Sequence, residues 1–147
     1  MVSVFVYGTL KEGFPNFRTN RGRRVPGDFV TLERFPLYVT GERHSPWLLH
    51  APGQGEQVRG QVFQVDAPTL QAMDQLERVT APDGHRRVAI QVQRVGEPAP
   101  LTVWAYLKRP DELTGTRVHA GPLGEYTLEQ AAHYRPRGIP PTGKTHF

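Results

Sequence analysis

A chain of 147 residues, 37% of them apolar, has the length for one domain with a buried core. It carries 18 Lys and Arg against 14 Asp and Glu, a net charge of +4. The absence of cysteine excludes disulfides, a thiol nucleophile and thiolate metal ligands.

Fourteen prolines and fifteen glycines predict many turns joining short strands. No apolar run approaches the roughly 20 residues that cross a bilayer. Val2 to Tyr7 reads as a first strand, apolar on both faces and therefore central in a sheet. Ser3 and Tyr7 interrupt its apolar character and no basic segment precedes it, so no signal peptide is expected and the expected location is the cytoplasm. The strand breaks on Gly8-Thr-Leu10, a turn that bares backbone N–H groups at a strand's carboxyl end. Lys11 to Val25 is polar and rich in Gly and Arg, a loop with room for one helical turn after Asn16. Asp28 to Val39 divides near Phe35-Pro36 into two short strands, Trp47 to His50 forms another, and Ala51 to Gly55 is a turn.

Val58 to Val65 follows as a strand, with Val58, Gly60 and Val62 on one face and Phe63 and Val65 on the other. Asp66 caps a helix over Ala67 to Arg78, with Pro68 in its first turn and Leu70, Met73 and Leu76 as its apolar stripe. Val88 to Gln93 alternates as a half-buried strand, and Gly96 to Pro100 joins it to Leu101–Leu107 in a hairpin. Thr127-Leu-Glu-Gln130 is a capping-box pattern that opens a short helix to Tyr134. Beyond it, about 135–147 is a Pro/Gly-rich tail expected to attach loosely. The sum is a single α+β domain over 1–147, dominated by strands, with a curved or barrel-like sheet and helices at its ends.

Four groups of residues bear on chemistry. Arg18 to Arg24 is a basic cluster without the interleaved aromatics that stack bases, so a solvated loop is expected and a nucleic-acid partner is not. Gly138 to Thr145 matches the phosphate-loop pattern G-x-x-x-x-G-K-[ST] letter for letter. Pro140 and Pro141 remove two N–H donors such a loop needs, and only two residues follow where a helix would have to begin, so no nucleotide site is expected. The histidines at 44, 50, 85, 119, 133 and 146 show no paired ligand spacing, and no metal is expected. Glu77 shares a helix face with Leu70 and Met73, and Asp74 borders the same face. A glutamate there finds partners, reaches the rim or takes a raised pKa, and the spacing alone allows either a structural or an acid–base role.

Tyr7-Gly-Thr-Leu10, followed by Lys11, Gly13 and Asn16, resembles the γ-glutamylcyclotransferase-like family, and most closely its γ-glutamylamine cyclotransferase and AIG2-like branch. Val58-Arg-Gly-Gln-Val-Phe63 resembles that family's Gly-containing strand, and Met73-Asp-Gln-Leu-Glu77 its helix ending in Glu. Arg86-Arg-Val and Val103-Trp-Ala-Tyr106 fall where its next two strands lie. The resemblance spans about 2–107. It departs at His85, where the family commonly has tyrosine, and assigns nothing after Leu107.

The resemblance implies a small mixed β-barrel with short flanking helices and no metal or cofactor. It implies intramolecular cyclisation of a small γ-glutamyl substrate, releasing 5-oxoproline and an amine. By the same resemblance Glu77 is the catalytic proton shuttle, while Tyr7, Gly8, Thr9 and Leu10 form the substrate loop. The competing expectations are a protein that binds γ-glutamyl compounds without turnover and a basic nucleic-acid-binding module.

Overall fold

Alternation decides how the first strand is buried. In the computed structural model, which describes residues 1–138, β1 (Val2–Val6) sends Phe5 to one side and Val4 and Val6 to the other, and all three are buried. A strand apolar on both faces must lie between neighbours and under a second layer. It pairs antiparallel with β6 (Arg59–Val65) on one edge and parallel with β8 (Pro100–Leu107) on the other.

The remaining strands close the ring. β2 (Arg23–Arg24) and β3 (Phe29–Thr31) both lie antiparallel on β6. The long hairpin partner of β8, β7 (Arg86–Arg94), pairs with β3. The circuit β1–β8–β7–β3–β6–β1 is therefore a closed five-stranded mixed barrel, with β2 as a short flap on β6. Closure removes the exposed strand edges that an open sheet would present.

Phe5, Phe29, Val58, Val62, Val92 and Val103 belong to the larger of two buried clusters. The other is the layer between the barrel and α1 (Ala67–Leu76), where Val4, Val6, Phe63 and Val65 meet Met73, with Leu70 and Leu76 at its margin. The Asp66 side chain accepts the Thr69 N–H at 2.9 Å, as the sequence pattern predicts, and Pro68 occupies the first turn. The helix stops two residues short of the expected Arg78. Glu77 is its C-cap and Arg78 takes φ 54°, a left-handed conformation that ends the helical run. Gly84 then packs against the Arg78 carbonyl where no Cβ would fit.

Phe35-Pro36 separates two sheets as well as two strands. β4 (Leu37–Thr40) leaves the barrel and pairs with β5 (Ser45–Leu48), which begins two residues before the expected Trp47. The third strand of that small sheet, β9 (Val118–Ala120), has no sequence signal, being three residues long and half exposed. The capping box at Thr127 is present, its N–H donating to Gln130 Oε1 at 2.7 Å. Regular helix α2 covers only Leu128–Ala131, and the chain tightens into a turn through Tyr134, whose N–H donates to the Ala131 carbonyl. Arg135 then exchanges hydrogen bonds with Arg43 on the β4–β5 turn, its N–H reaching the Arg43 carbonyl at 2.9 Å. Among the described residues, no helix is long and apolar enough to cross a membrane.

Gly60 marks the tightest point of the barrel. A Cβ there would strike the Val6 carbonyl and stand 2.7 Å from Phe5 Cζ. Gly60→Ala is therefore expected to cost about 1–3 kcal/mol of stability, lowering the melting temperature by several degrees. Gly124→Ala, whose Cβ would have no neighbour nearer than 3.6 Å, is the control and should change stability by less than about 0.5 kcal/mol. Equal melting temperatures for the two variants would remove the packing explanation.

Candidate active site

Parallel strands end on the same rim. Because β8 runs alongside β1 in the same direction, with Val4 opposite Trp104, the carboxyl ends of both strands open onto one side of the barrel. A cavity of about 480 Å³ lies there, bounded by residues 7–10, the end of α1, the 83–85 loop and Lys108. Its size suits a small-molecule ligand.

Tyr7 anchors the turn after β1, its phenol donating to the Tyr106 carbonyl at 2.6 Å. Gly8 faces Pro46 so closely that a Cβ would stand 2.7 Å from its ring. The Thr9 hydroxyl accepts the Asn16 amide at 2.8 Å, and the same amide nitrogen donates to the Tyr134 hydroxyl at 3.0 Å. Leu10 is buried in the layer beneath α1, while its carbonyl accepts from Asn20 at 3.1 Å. Among the described residues, no hydrogen bond takes the N–H groups of Gly8, Thr9 or Leu10. The turn therefore lines the cavity with unused backbone donors, an arrangement that suits an anion or a developing oxyanion.

Glu77 faces the same cavity from the end of α1. Its side chain is only 18% exposed, and Oε2 lies 3.0 Å from His85 Nδ1. Burial raises its pKa from 4.5 to about 7, against the pull of the Arg43, Arg137 and Lys108 cations. The same burial, reinforced by those three cations, lowers His85 to about 3 and keeps its ring neutral; the Pro46 carbonyl favours the charged ring only weakly.

The expected neighbour Asp74 does not line the cavity. It accepts the Tyr106 hydroxyl at 2.7 Å and stands 3.1 Å from Arg87 Nε, so it braces the strand that carries the Tyr7 partner.

The rest of the rim comes from parts of the chain that no motif singled out. Lys108, almost fully buried, donates to the Asp83 carbonyl at 2.5 Å and to Glu112 at 3.1 Å, and its ammonium lies over the Trp47 ring. Arg78 pairs with Asp83 at 3.2 Å. Arg43, Tyr134 and Arg137 complete the cavity wall. No sequence signal joined them, because their spacing reflects loop lengths rather than a periodic element.

The other groups weighed from sequence lie elsewhere. Arg24 is engaged by Glu12 at 2.7 Å and Asp28 at 3.1 Å. His44 and His119 stack with centroids 3.7 Å apart and His133 leans on His44 at 5.4 Å. Among the described residues, no three such side chains are placed to hold a metal ion. The phosphate-loop match at Gly138–Thr145 lies outside the described residues apart from Gly138.

Comparison with known proteins identifies the family. The family model for gamma-glutamyl cyclotransferase, AIG2-like, matches residues 4–128, extending past Leu107 where the sequence resemblance stopped. A human gamma-glutamylaminecyclotransferase is 43% identical over 105 residues, covering 68% of this chain and 67% of the relative. The rat protein of the same name is 41% identical over 103 residues, covering 63% and 64%. The chain thus spans about two thirds of the length of these curated relatives. The crystal structure of an AIG2-like protein from mouse superposes with a TM-score of 0.75 at 32% identity, covering 94% of this chain and 97% of that one. With the family model covering most of its length and the mouse structure superposing over 94% of it, the chain belongs to the gamma-glutamyl cyclotransferase, AIG2-like family.

Proposed function

We propose that this protein is a γ-glutamylamine cyclotransferase, with Glu77 as its proton carrier and the Tyr7–Leu10 turn as its substrate loop. One observation carries the reading. A carboxyl group poised near neutrality by burial lines the same cavity as a turn whose backbone N–H groups are unused among the described residues. The relatives' names supply the substrate class, γ-glutamyl amines.

The reaction needs one substrate folded on itself. Its α-nitrogen attacks the γ-carbonyl carbon, a ring C–N bond forms, and the exocyclic amide C–N bond breaks. The products are 5-oxoproline and the free amine. Holding the two ends of the glutamyl group together removes the entropic barrier to attack. Over the cycle the α-ammonium nitrogen gives up two protons and the departing nitrogen gains two, so the proton count balances within the substrate. Glu77 as carboxylate accepts a proton from the attacking nitrogen, and as acid returns it to the leaving one. A carboxyl with a pKa near 7 performs both steps at neutral pH without a large energetic cost in either direction. The Gly8, Thr9 and Leu10 N–H groups supply donors for the anionic oxygens of the glutamyl group.

The direct test is 5-oxoproline release over a panel of γ-glutamyl amides. Short γ-glutamyl amines are expected to turn over faster than glutathione. Binding of the whole panel without release would instead support a binding protein that does not catalyse.

Glu77→Gln keeps the side chain's shape but cannot accept the proton, and turnover is expected to fall by roughly 100- to 10,000-fold. Asp74→Asn, outside the cavity, is expected to lose far less. Wild-type turnover in Glu77→Gln would move the role elsewhere.

The pH dependence has a defined sign. Only the carboxylate accepts the proton, so kcat/KM is expected to rise through about pH 7 and level off above it. Stability runs the other way. Between 4.5 and about 7 the folded chain holds this proton while the unfolded chain has released it, so Glu77 weakens the fold progressively across that window. Glu77→Gln should therefore melt higher than the wild type above pH 7 and converge with it below about pH 4.5, as calorimetry across that range would reveal.

A further inference from the structure

We propose that His85 is the positioning residue of Glu77: its Nδ1–H, 3.0 Å from Oε2, donates to the carboxylate, holds it in one orientation and favours its ionised form. The inference rests on the reading of Glu77 as the proton carrier.

Two contacts, one from the backbone and one from the side chain, tie the pair together. The His85 N–H donates to the Glu77 carbonyl at 2.9 Å, closing the 77–85 loop into a fixed ring of chain. The left-handed Arg78 and the close seat of Gly84 on the Arg78 carbonyl set that loop's path. The imidazole is thereby delivered onto the carboxyl rather than left to find it. Both side chains are well shielded, 12% and 18% exposed, and a carboxylate so shielded requires a donor. Among the described residues, His85 makes the one ion-pair or hydrogen-bond contact of the Glu77 carboxylate.

The position of the ring proton follows from the surroundings. His85 Nε2 is buried and has no hydrogen-bond partner among the described residues. The Pro46 carbonyl acts on the ring only weakly and forms no hydrogen bond with Nε2, whereas Nδ1 has Oε2 at 3.0 Å, so the single proton of the neutral ring is assigned to Nδ1, facing Oε2. The ring cannot readily take a second proton, because burial and the Lys108, Arg137 and Arg43 cations oppose it. His85 is thus a donor to Glu77 and not a competing base.

The other groups that face Glu77 are Tyr7 at the end of β1, Tyr106 of β8, Lys108 beyond it, Arg43 on the β4–β5 turn and Arg137 beyond α2. Burial holds both tyrosines neutral. His85 is neutral as well, so removing it takes away a donor while leaving the local charge unchanged. A shift in Glu77 ionisation on its removal therefore reports the hydrogen bond and not a lost charge.

The experiment compares the full-length wild type with His85→Phe, which has no donor, and His85→Asn, whose amide N–H can stand near Nδ1. The Glu77 carboxyl is titrated directly by carbon-13 NMR, and 5-oxoproline release is followed over the same pH range. His85→Phe is expected to move the Glu77 titration up by about one pH unit, while His85→Asn stays within about half a unit of the wild type. The acid limb of kcat is expected to shift with it, a loss of about fivefold at pH 7 with KM little changed. Should the phenylalanine variant fail to fold, His85→Leu provides the donor-free comparison. An unmoved Glu77 titration in a folded donor-free variant, or an asparagine variant that behaves like it, overturns the proposal. If Glu77→Gln keeps its turnover while His85→Phe still moves the carboxyl titration, the positioning contact stands and the catalytic reading of Glu77 falls.

Discussion

β1 pairs on both edges, antiparallel with β6 and parallel with β8, and the architecture of the site follows from that double pairing. The antiparallel edge joins sequence-distant strands into a ring. The parallel edge brings two carboxyl ends to one rim, so the turn at residues 7–10 opens beside Lys108 and the 83–85 loop. An antiparallel β1–β8 pair would have placed these segments at opposite ends of the barrel. The turn could then offer its donors to no cavity shared with the end of α1.

Glu77 occupies a position that opposes its charge three times over. It is shielded from water, it caps the C-terminus of α1 where the helix dipole is negative, and the apolar layer of Met73 and Leu76 lies behind it. Against these stand three cations drawn from separate segments, Arg43, Lys108 and Arg137. The balance leaves the carboxyl near neutrality, a poise useful for proton exchange and of no benefit to stability. Two of the three cations are themselves held. Lys108 is fixed by Asp83 and Glu112 over the Trp47 ring, and Arg43 is bound to the backbone of Arg135.

The C-terminal third of the chain serves the site in a way that its local composition conceals. β9 and α2 contribute little buried apolar surface, yet β9 completes the small sheet and the chain after α2 brings Tyr134, Pro136 and Arg137 to the cavity wall. Tyr134 in turn shares the Asn16 amide with Thr9, so the far end of the chain steadies the turn next to its beginning.

Local periodicity was enough to place β1, β6, α1 and the β7–β8 hairpin, because each has an apolar face whose repeat matches its geometry, and Asp66 and Thr127 signal helix starts through their own side chains. The turn at 7–10 and Glu77 as a candidate site residue were legible too, through the resemblance that those motifs carry together. The end of α1 was not, because it depends on a left-handed Arg78 and on Gly84 packing against it from six residues downstream. Nor were β9, the separation of β3 from β4 into different sheets, or the Lys108, Arg43 and Arg137 rim. His85 stood out in the sequence only as a departure from a family pattern. Its 3.0 Å approach to Glu77 exists because a closed loop folds one onto the other. The sequence by itself determined which segments could be strands and helices, since hydrophobic repeat is a local property. Only the tertiary structure decided the electrostatics of the site, since desolvation and charge proximity depend on distances between segments that sequence spacing does not encode.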